Sequence, residues 1–415
     1  MPRVLFISYD GMTDPLGQSQ VIPYLTGLSK LGYDFTILSC EKPVNYLMHK
    51  DEIENILHSA AIKWAPVAYH KKPPVFSTVY DVIQLYKKAR KLHLQFPFDM
   101  VHTRPGIPAL IGLKMKKRFG IKFLNDIREF YADSRVEGGI WNLENFFYKK
   151  IYSFFIEKEK QAVTRSDGIV CLTYAAEKII KSWPEYQLSI PLQVIPCSVD
   201  FDLFNPFHFD EEFKKRLRSD LYIKENEFIV SYLGSVGSWY LMDEILRFFK
   251  IISDRNANAK FLFISPNAKN VILRLANKFH LDEKKIIVKE AKRNEVPALL
   301  SLSKFSVFFI KPCYSKQSSS PTKHGEIMAM DIPVITNSGV GDVAEIVEKY
   351  NSGVVLKDIN NNEFHKVAAL ISNEPFADKN CIRHAAKEFY SLNSAIEKYK
   401  ILYDQICTSN SNQVE

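Results

Sequence analysis

The chain has 415 residues, of which 46% are hydrophobic and 25% charged, and its formal net charge is +8. That length exceeds one ordinary core and implies two domains, and the composition is that of a soluble globular protein. No run of about 18 apolar residues occurs, which argues against a transmembrane helix. The six cysteines are far apart and lack a Cys-x-x-Cys spacing, which argues against a zinc site or a disulfide framework and for buried free thiols. A basic balance suits nucleic acid, anionic lipid or small anionic ligands. No nucleic-acid signature surrounds the basic clusters, so no nucleic-acid partner is expected.

The N-terminus enters a strand at once, without a signal-peptide layout, so a cytoplasmic location is expected. Short apolar runs then alternate with longer helical patterns. The first half offers strands at Val4–Ser8, Phe35–Ser39, Met100–Thr103, Phe123–Asp126, Gly168–Thr173 and Leu192–Ile195. The second offers Phe228–Leu233, Phe261–Ser265, Ile286–Lys289, Phe305–Ile310, Pro333–Thr336 and Val354–Leu356. Continuous apolar strands with helices between them predict parallel sheets covered on both faces. The pattern occurs twice, so the fold class is α/β with two doubly wound domains. The boundary is placed near Pro196 to Asp200: residues 1–197 form the first domain and 198–385 the second. The tail from Cys381 to Asp404 reads as helical, and the residues from Thr408 on as frayed.

Three loops follow strands, where ligands of such sheets bind. Asp10–Gln20 carries Gly11 and Gly17, a proline and polar groups, then leads into an amphipathic helix from about Ser19 to Leu31. Gly234-Ser235-Val236-Gly237-Ser238 lies between a strand and a helix beginning near Leu241. Its glycines let the backbone approach an anion, or else form an ordinary tight turn. Ser318 to Asn337 is the most informative stretch. A polar loop ends in Lys323, a short helix presents Glu326 about one turn later, and a buried strand follows. Backbone N–H groups and a cation suit a phosphate, and a carboxylate suits the hydroxyls of a diol. A phosphate beside a ribose fits both.

Asn125 to Arg135 packs two arginines and three acids into a short space. Arg128 there suits a phosphate or an acidic acceptor, or else an internal ion pair with Glu129 or Asp133. His102 and His70 read as structural histidines. The clusters Lys87-Lys88-Ala89-Arg90-Lys91 and Lys114-Met115-Lys116-Lys117-Arg118 read as solvated helix faces or as a patch for an anionic membrane surface.

The ordered set of motifs resembles the retaining GT-B glycosyltransferases of family 4. Asp10–Gln20 resembles the family's first glycine loop, Val194–Asp200 its linker, and Tyr232–Gly237 its phosphate loop. Ser319–Glu326 resembles its donor loop. The resemblance implies two Rossmann-like domains facing a central cleft, with a C-terminal crossing helix over 386–409. It implies transfer of a sugar from a UDP- or GDP-sugar to a glycan or lipid-linked acceptor with retention, in polysaccharide or glycoconjugate assembly. No metal or other cofactor is expected. Gly234, Ser235, Gly237 and Lys323 would hold the diphosphate and Glu326 the ribose. Gly17 and Gln18 would shape the reaction centre, with Arg128 on the acceptor side. The family's first motif carboxylate is Ser318 here, so Ser318, Ser319 and backbone N–H groups would take over its polar contacts. Domain closure would expel water. A nucleotide-sugar epimerase, or a non-catalytic subunit with the same fold, is the alternative. An epimerase needs acids and bases on both sides of the sugar, and Ser318 is what favours a non-catalytic subunit.

Overall fold

The computed structural model describes residues 1–237, 239–266, 269–373 and 379–408. The chain forms two compact units. One comprises Met1–Pro196 together with the segment beginning at Leu392, and the other Cys197–Ser391.

The first unit holds β1 (Arg3–Ser8), β2 (Asp34–Glu41), β3 (Lys63–Trp64), β4 (Val67–Ala68), β5 (Met100–Arg104), β6 (Lys122–Ile127), β7 (Gly168–Cys171) and β8 (Leu192–Val194). Their order is β3-β2-β1-β5-β6-β7-β8, with β4 also paired to β2, and each pairing is parallel. Side chains alternate across the sheet as the pleat requires. Val4 and Phe6 face one core, with Leu25, Tyr399 and Tyr403, while Leu5 and Ile7 face another, with Leu85, Ala89 and Ile111. Sequence reading missed only the two-residue strands β3 and β4, which are too short to show a period.

The expected helix from Ser19 is two helices, Pro15–Gln20 and Ile22–Lys30, meeting at Val21. Pro23 lacks the N–H that an unbroken helix would use, and a proline is tolerated only in a first turn. The expected C-terminal helix is likewise divided into Lys379–Tyr390 and Leu392–Thr408. At the break, Ser391 bridges Val199 in parallel and Val199 N–H donates to the Tyr390 carbonyl at 2.9 Å. Residues 386 to 390 therefore end a helix of the second unit, and the return begins at Leu392. The predicted fraying beyond 408 lies outside the described residues.

In the first unit the Leu392 helix covers one sheet face. Tyr399 donates to Asp126 Oδ2 at 2.8 Å, and Tyr403 Oη lies 2.7 Å from His102 Nδ1. Both tyrosines are buried, each worth roughly 1.5–3 kcal/mol of apolar burial, and their hydroxyls reach partners.

The second unit holds β9 (Phe228–Leu233), β10 (Ala259–Ile264), β11 (Ile286–Lys289), β12 (Phe305–Val307), β13 (Val334–Asn337) and β14 (Gly353–Leu356). Their order is β11-β10-β9-β12-β13-β14, again parallel. Both sheets therefore reverse direction beside their first strand. The crevice beyond the strand ends lies at β1/β5 in one unit and at β9/β12 in the other. Phe248, Phe249, Phe261, Phe263, Phe309 and Phe364 pack the second core, with Phe309 stacked on Phe364 at 5.8 Å.

Of the six cysteines, all free, Cys40, Cys171 and Cys197 are buried, whereas Cys313 and Cys407 are partly exposed and Cys381 exposed. Burial thus holds for only half of them: Cys381 and Cys407 lie on the two C-terminal helices, each of which turns part of its surface to solvent.

Candidate functional site

The second unit gathers its expected site residues at the β9/β12 switch point. Gly234 directly follows β9, and its N–H still donates to the Ile264 carbonyl at 3.0 Å. Its φ of +125° suits glycine, and a Cβ there would lie 2.5 Å from Lys323 Nζ. Ser235 and Gly237 are exposed, and Ser235 O accepts a 2.8 Å bond from Tyr232 Oη. A Cβ on Gly237 would meet open space. Ser238 lies outside the described residues.

The helix Thr322–Ala329 starts at Pro321 without a side-chain cap, so its first N–H groups are not occupied by one. Lys323 is 7% exposed, and its ammonium has no hydrogen-bond partner among the described residues. It lies 3.7 Å from the Tyr240 ring centre and 4.7 Å from that of Tyr232. Ring quadrupoles attract the cation but replace water poorly. Burial accordingly pulls the Lys323 pKa down from 10.5 to about 7, and Glu326 only partly opposes this.

Glu326 is 6% exposed, and its Oε1 accepts a 2.8 Å bond from Arg293 Nη1. Burial raises its pKa, and the Arg293 guanidinium works against that rise. Arg293 itself rests 5.3 Å from the Phe204 ring. Its role is thus to hold the carboxylate, a partnership invisible in sequence because 33 residues separate the two. Tyr232 and Tyr240 were also missed as site residues. Their signal was the Trp239-Tyr240 pair standing directly after the glycine loop. The next residue after Lys323, His324, is fully buried and within 2.9 Å of Tyr390 Oη, and burial lowers its pKa to about 3, so it is a neutral packing group.

Ser319 is half-buried, its N–H donating to the Lys316 carbonyl at 3.1 Å. Ser318 is fully buried, and its hydroxyl donates to the Ser315 carbonyl at 2.7 Å. The expectation that the Ser318 hydroxyl serves a ligand is therefore corrected: it closes its own turn.

In the first unit, Gly17 and Gln18 sit in the helix that follows β1. Gly17 packs so closely on the Gly11 carbonyl and Met12 Cα that no side chain fits. Gln18 Nε2 donates to the Thr13 carbonyl at 3.1 Å. The organiser of this loop is Glu41, which sequence reading missed. It accepts from Met12 N–H at 2.7 Å, Thr13 N–H at 3.2 Å and Ser39 Oγ at 2.6 Å. Its signal was a lone carboxylate ending the apolar run of β2. Asp14 is held in turn by Lys42 at 2.7 Å and Asn45 at 2.6 Å.

Arg128 is buried in the first unit, with Nε 3.4 Å from Asp126 Oδ1 and Nη1 donating to the Ile195 carbonyl at 3.1 Å. The internal ion pair, the alternative to a ligand contact for Arg128, forms with Asp126 and not with Glu129 or Asp133. Glu129 binds Arg135 at 3.2 Å and Ser134 at 2.8 Å, and Asp133 binds Tyr152 at 2.8 Å. Burial pushes the Asp126 carboxyl up, but Arg128 and His102 outweigh it and hold the pKa at about 2. His102 is a structural member of this network, and His70 binds Asp81 at 2.6 Å.

Residues 213–388, within the second unit, match the family described as Glycosyl transferases group 1. No curated protein matches the sequence. Solved structures similar over nearly the whole chain include a sucrose-phosphate synthase from Thermosynechococcus elongatus. It is 14% identical, with a TM-score of 0.74, covering 98% of this chain and 99% of that one. A glycosyltransferase from Rickettsia africae is 17% identical, with a TM-score of 0.69 and coverage of 98% and 99%. The HepE protein of Anabaena, solved in complex with UDP-glucose, is 11% identical, with a TM-score of 0.69 and coverage of 97% and 99%. The fold is that of the GT-B glycosyltransferases, with two Rossmann-like domains.

Proposed function

We propose that the protein is a glycosyltransferase that moves a sugar from a UDP- or GDP-sugar to a glycan or lipid-linked acceptor, with retention and without a bound metal. The observation that carries the reading is Lys323: a buried ammonium with no hydrogen-bond partner among the described residues, set beside a left-handed glycine and one turn before a buried carboxylate. A buried cation is stabilised by an anion. In this reading the diphosphate lies against Gly234, Ser235 and Gly237, with Lys323 and the first turn of its helix beside it. Ser319 flanks that turn. Glu326, oriented by Arg293, accepts hydrogen bonds from the ribose hydroxyls.

The acceptor oxygen bonds to the anomeric carbon, and the bond to the diphosphate breaks with its electron pair passing to phosphate. The hydroxyl proton leaves to phosphate or water. Lys323 and the helix N–H groups stabilise the charge that develops on the leaving group. Gly17 and Gln18 shape the reaction centre through the loop that Glu41 holds. Arg128 acts on the acceptor side by fixing the end of β6. The setting is polysaccharide or glycoconjugate assembly in the cytoplasm, with peripheral contact at the inner face of an anionic membrane.

Incubation with UDP- and GDP-sugars, with and without glycan or lipid-linked acceptors, tests this. Release of nucleoside diphosphate accelerated by an acceptor supports transfer. Donor-sugar isomerisation without an acceptor, or no turnover at all, refutes it.

A further inference from the structure

The first unit carries a concave feature that Tyr9, directly after β1, helps to line. It is an open groove of about 1210 Å³ between the helices Phe76–Gln95, Ile107–Phe119 and Phe146–Arg165. Ordinary small-ligand sites enclose about 300–1,000 Å³. Along the Phe76 helix, Phe76, Val79, Tyr80 and Ile83 recur at helical spacing and all four are exposed, with Val79 and Ile83 lining the groove. Across the groove, Phe147 and Phe154 are 51% and 48% exposed. A helix of a soluble domain normally turns such a stripe inward, so two facing exposed stripes mark a surface that meets an apolar partner.

The charged side chains that line it have one sign, although Glu129 and Glu157 bond the lining residues Arg135 and Gln161. Five lysines and two arginines line the groove, and no aspartate or glutamate does. Lys114, Lys150 and Lys158 lie over the rings of Tyr86, Phe146 and Phe154 at 5.3, 4.5 and 5.7 Å. Stems on apolar surface with ammonium heads at the rim are the arrangement of an interfacial anchor. The Phe76 helix has one acid, Asp81, which is fully buried against Tyr9 and His70, and the Ile107 helix has none. A second copy of the chain docked face to face would set these cations against one another. A lipid offers both required chemistries in one molecule, an apolar chain and an anionic head. Among the described residues no helix is long and apolar enough to cross a membrane.

We propose that this groove docks the first unit on an anionic phospholipid bilayer, with a lipid chain lodged between the two apolar stripes and phosphate heads at the lysine rim. The surface is wider than the two basic runs visible in sequence and includes Lys71, Lys150, Lys158 and Arg165, which those runs omit. It deepens the lipid-linked acceptor reading of the function and rests on that reading for its purpose alone.

The test is flotation of the full-length protein with phosphatidylglycerol–phosphatidylcholine vesicles and with phosphatidylcholine vesicles. The expected result is binding to the anionic vesicles that weakens with salt. Phe147→Ser with Phe154→Ser lowers it at least tenfold, and Lys114→Glu with Lys150→Glu by about tenfold or more, since each cation at such a surface is worth roughly fivefold. Chain-brominated phosphatidylglycerol quenches Trp141, which lines the groove, and Trp141→Phe removes that quenching. Vesicle binding unchanged in both double variants, or binding without Trp141 quenching, overturns the proposal. A dimer that the serine variant converts to monomer assigns the groove to self-association and also overturns it. Nucleotide calorimetry on the same variants separates this outcome from failure of the transferase reading, because none of these residues belongs to the donor site.

Discussion

Nucleotide binding at the β9/β12 crevice is expected to take up a proton through Lys323. Burial between Tyr232 and Tyr240 lowers its pKa from 10.5 to about 7, so it is about half charged at pH 7 and about one-tenth charged at pH 8. A diphosphate beside it favours the ammonium. At pH 8 the phosphates are already ionised, so binding draws about 0.9 proton from solvent. Affinity falls about fivefold from pH 7 to 8 and about tenfold per unit beyond. Calorimetry in buffers of different ionisation enthalpy reads the uptake directly. Lys323→Met removes both the uptake and most of the affinity. The same variant reports on stability with a fixed sign. The folded pKa lies below the unfolded one, so the folded state binds fewer protons between about pH 7 and 10.5, and stability rises with pH across that window. At pH 7 the buried lysine costs up to about 4 kcal/mol, and Lys323→Met is expected to stabilise the protein by about 2–4 kcal/mol in urea unfolding. Proton uptake near zero at pH 8, or a destabilised methionine variant, refutes the reasoning.

Gly234→Ala places a methyl group against Lys323 Nζ at a φ of +125°, so it is expected to weaken nucleotide binding at least tenfold and cost roughly 1–3 kcal/mol of stability, read by calorimetry and denaturant unfolding. Arg293→Ala releases Glu326 from its 2.8 Å partner, and nucleoside diphosphate affinity should drop about tenfold while Arg293→Lys restores part of it. In the first unit, the Asp126 pKa of about 2 lies below its ordinary value of 3.8, so the buried network contributes about 2 kcal/mol that is present above pH 4 and lost as pH falls through 2. Asp126→Asn should flatten that acid limb of the stability profile. Gly17→Ala should destabilise the loop held by Glu41 by roughly 1–3 kcal/mol without changing nucleotide affinity, because its clash is with Gly11 and Met12.

The strands were legible because a parallel sheet covered on both faces needs unbroken apolar runs, and all twelve long runs became strands. The two helix breaks were hidden for different reasons. Pro23 was readable as a breaker, whereas Ser391 breaks a good helical pattern because Val199, nearly 200 residues earlier, captures the Tyr390 carbonyl. Lys323 and Glu326 were found because the spacing of a cation and a carboxylate about one helical turn apart is local. What they touch was not local: Tyr240 comes from the far side of the glycine loop and Arg293 from the chain after β11. Arg128 was misread for a different reason, since its partner is close in sequence. Its sequence neighbours Glu129 and Asp133 looked like partners, but Asp126, whose carboxylate is also held by Tyr399 of the last helix, is the one it meets. Ser318 illustrates a further limit, since a hydroxyl in a polar loop gives no sign of whether it faces a ligand or its own turn.

The central claim is that the glycine loop, Lys323 and Glu326 form a nucleoside-diphosphate site. It is tested most directly by titrating the protein with UDP, GDP, ADP and CMP in parallel with Glu326→Gln. The account predicts that UDP or GDP binds and that the glutamine variant loses about a hundredfold in affinity through its ribose hydrogen bonds. Binding of none of the four, or equal binding by the variant, contradicts it.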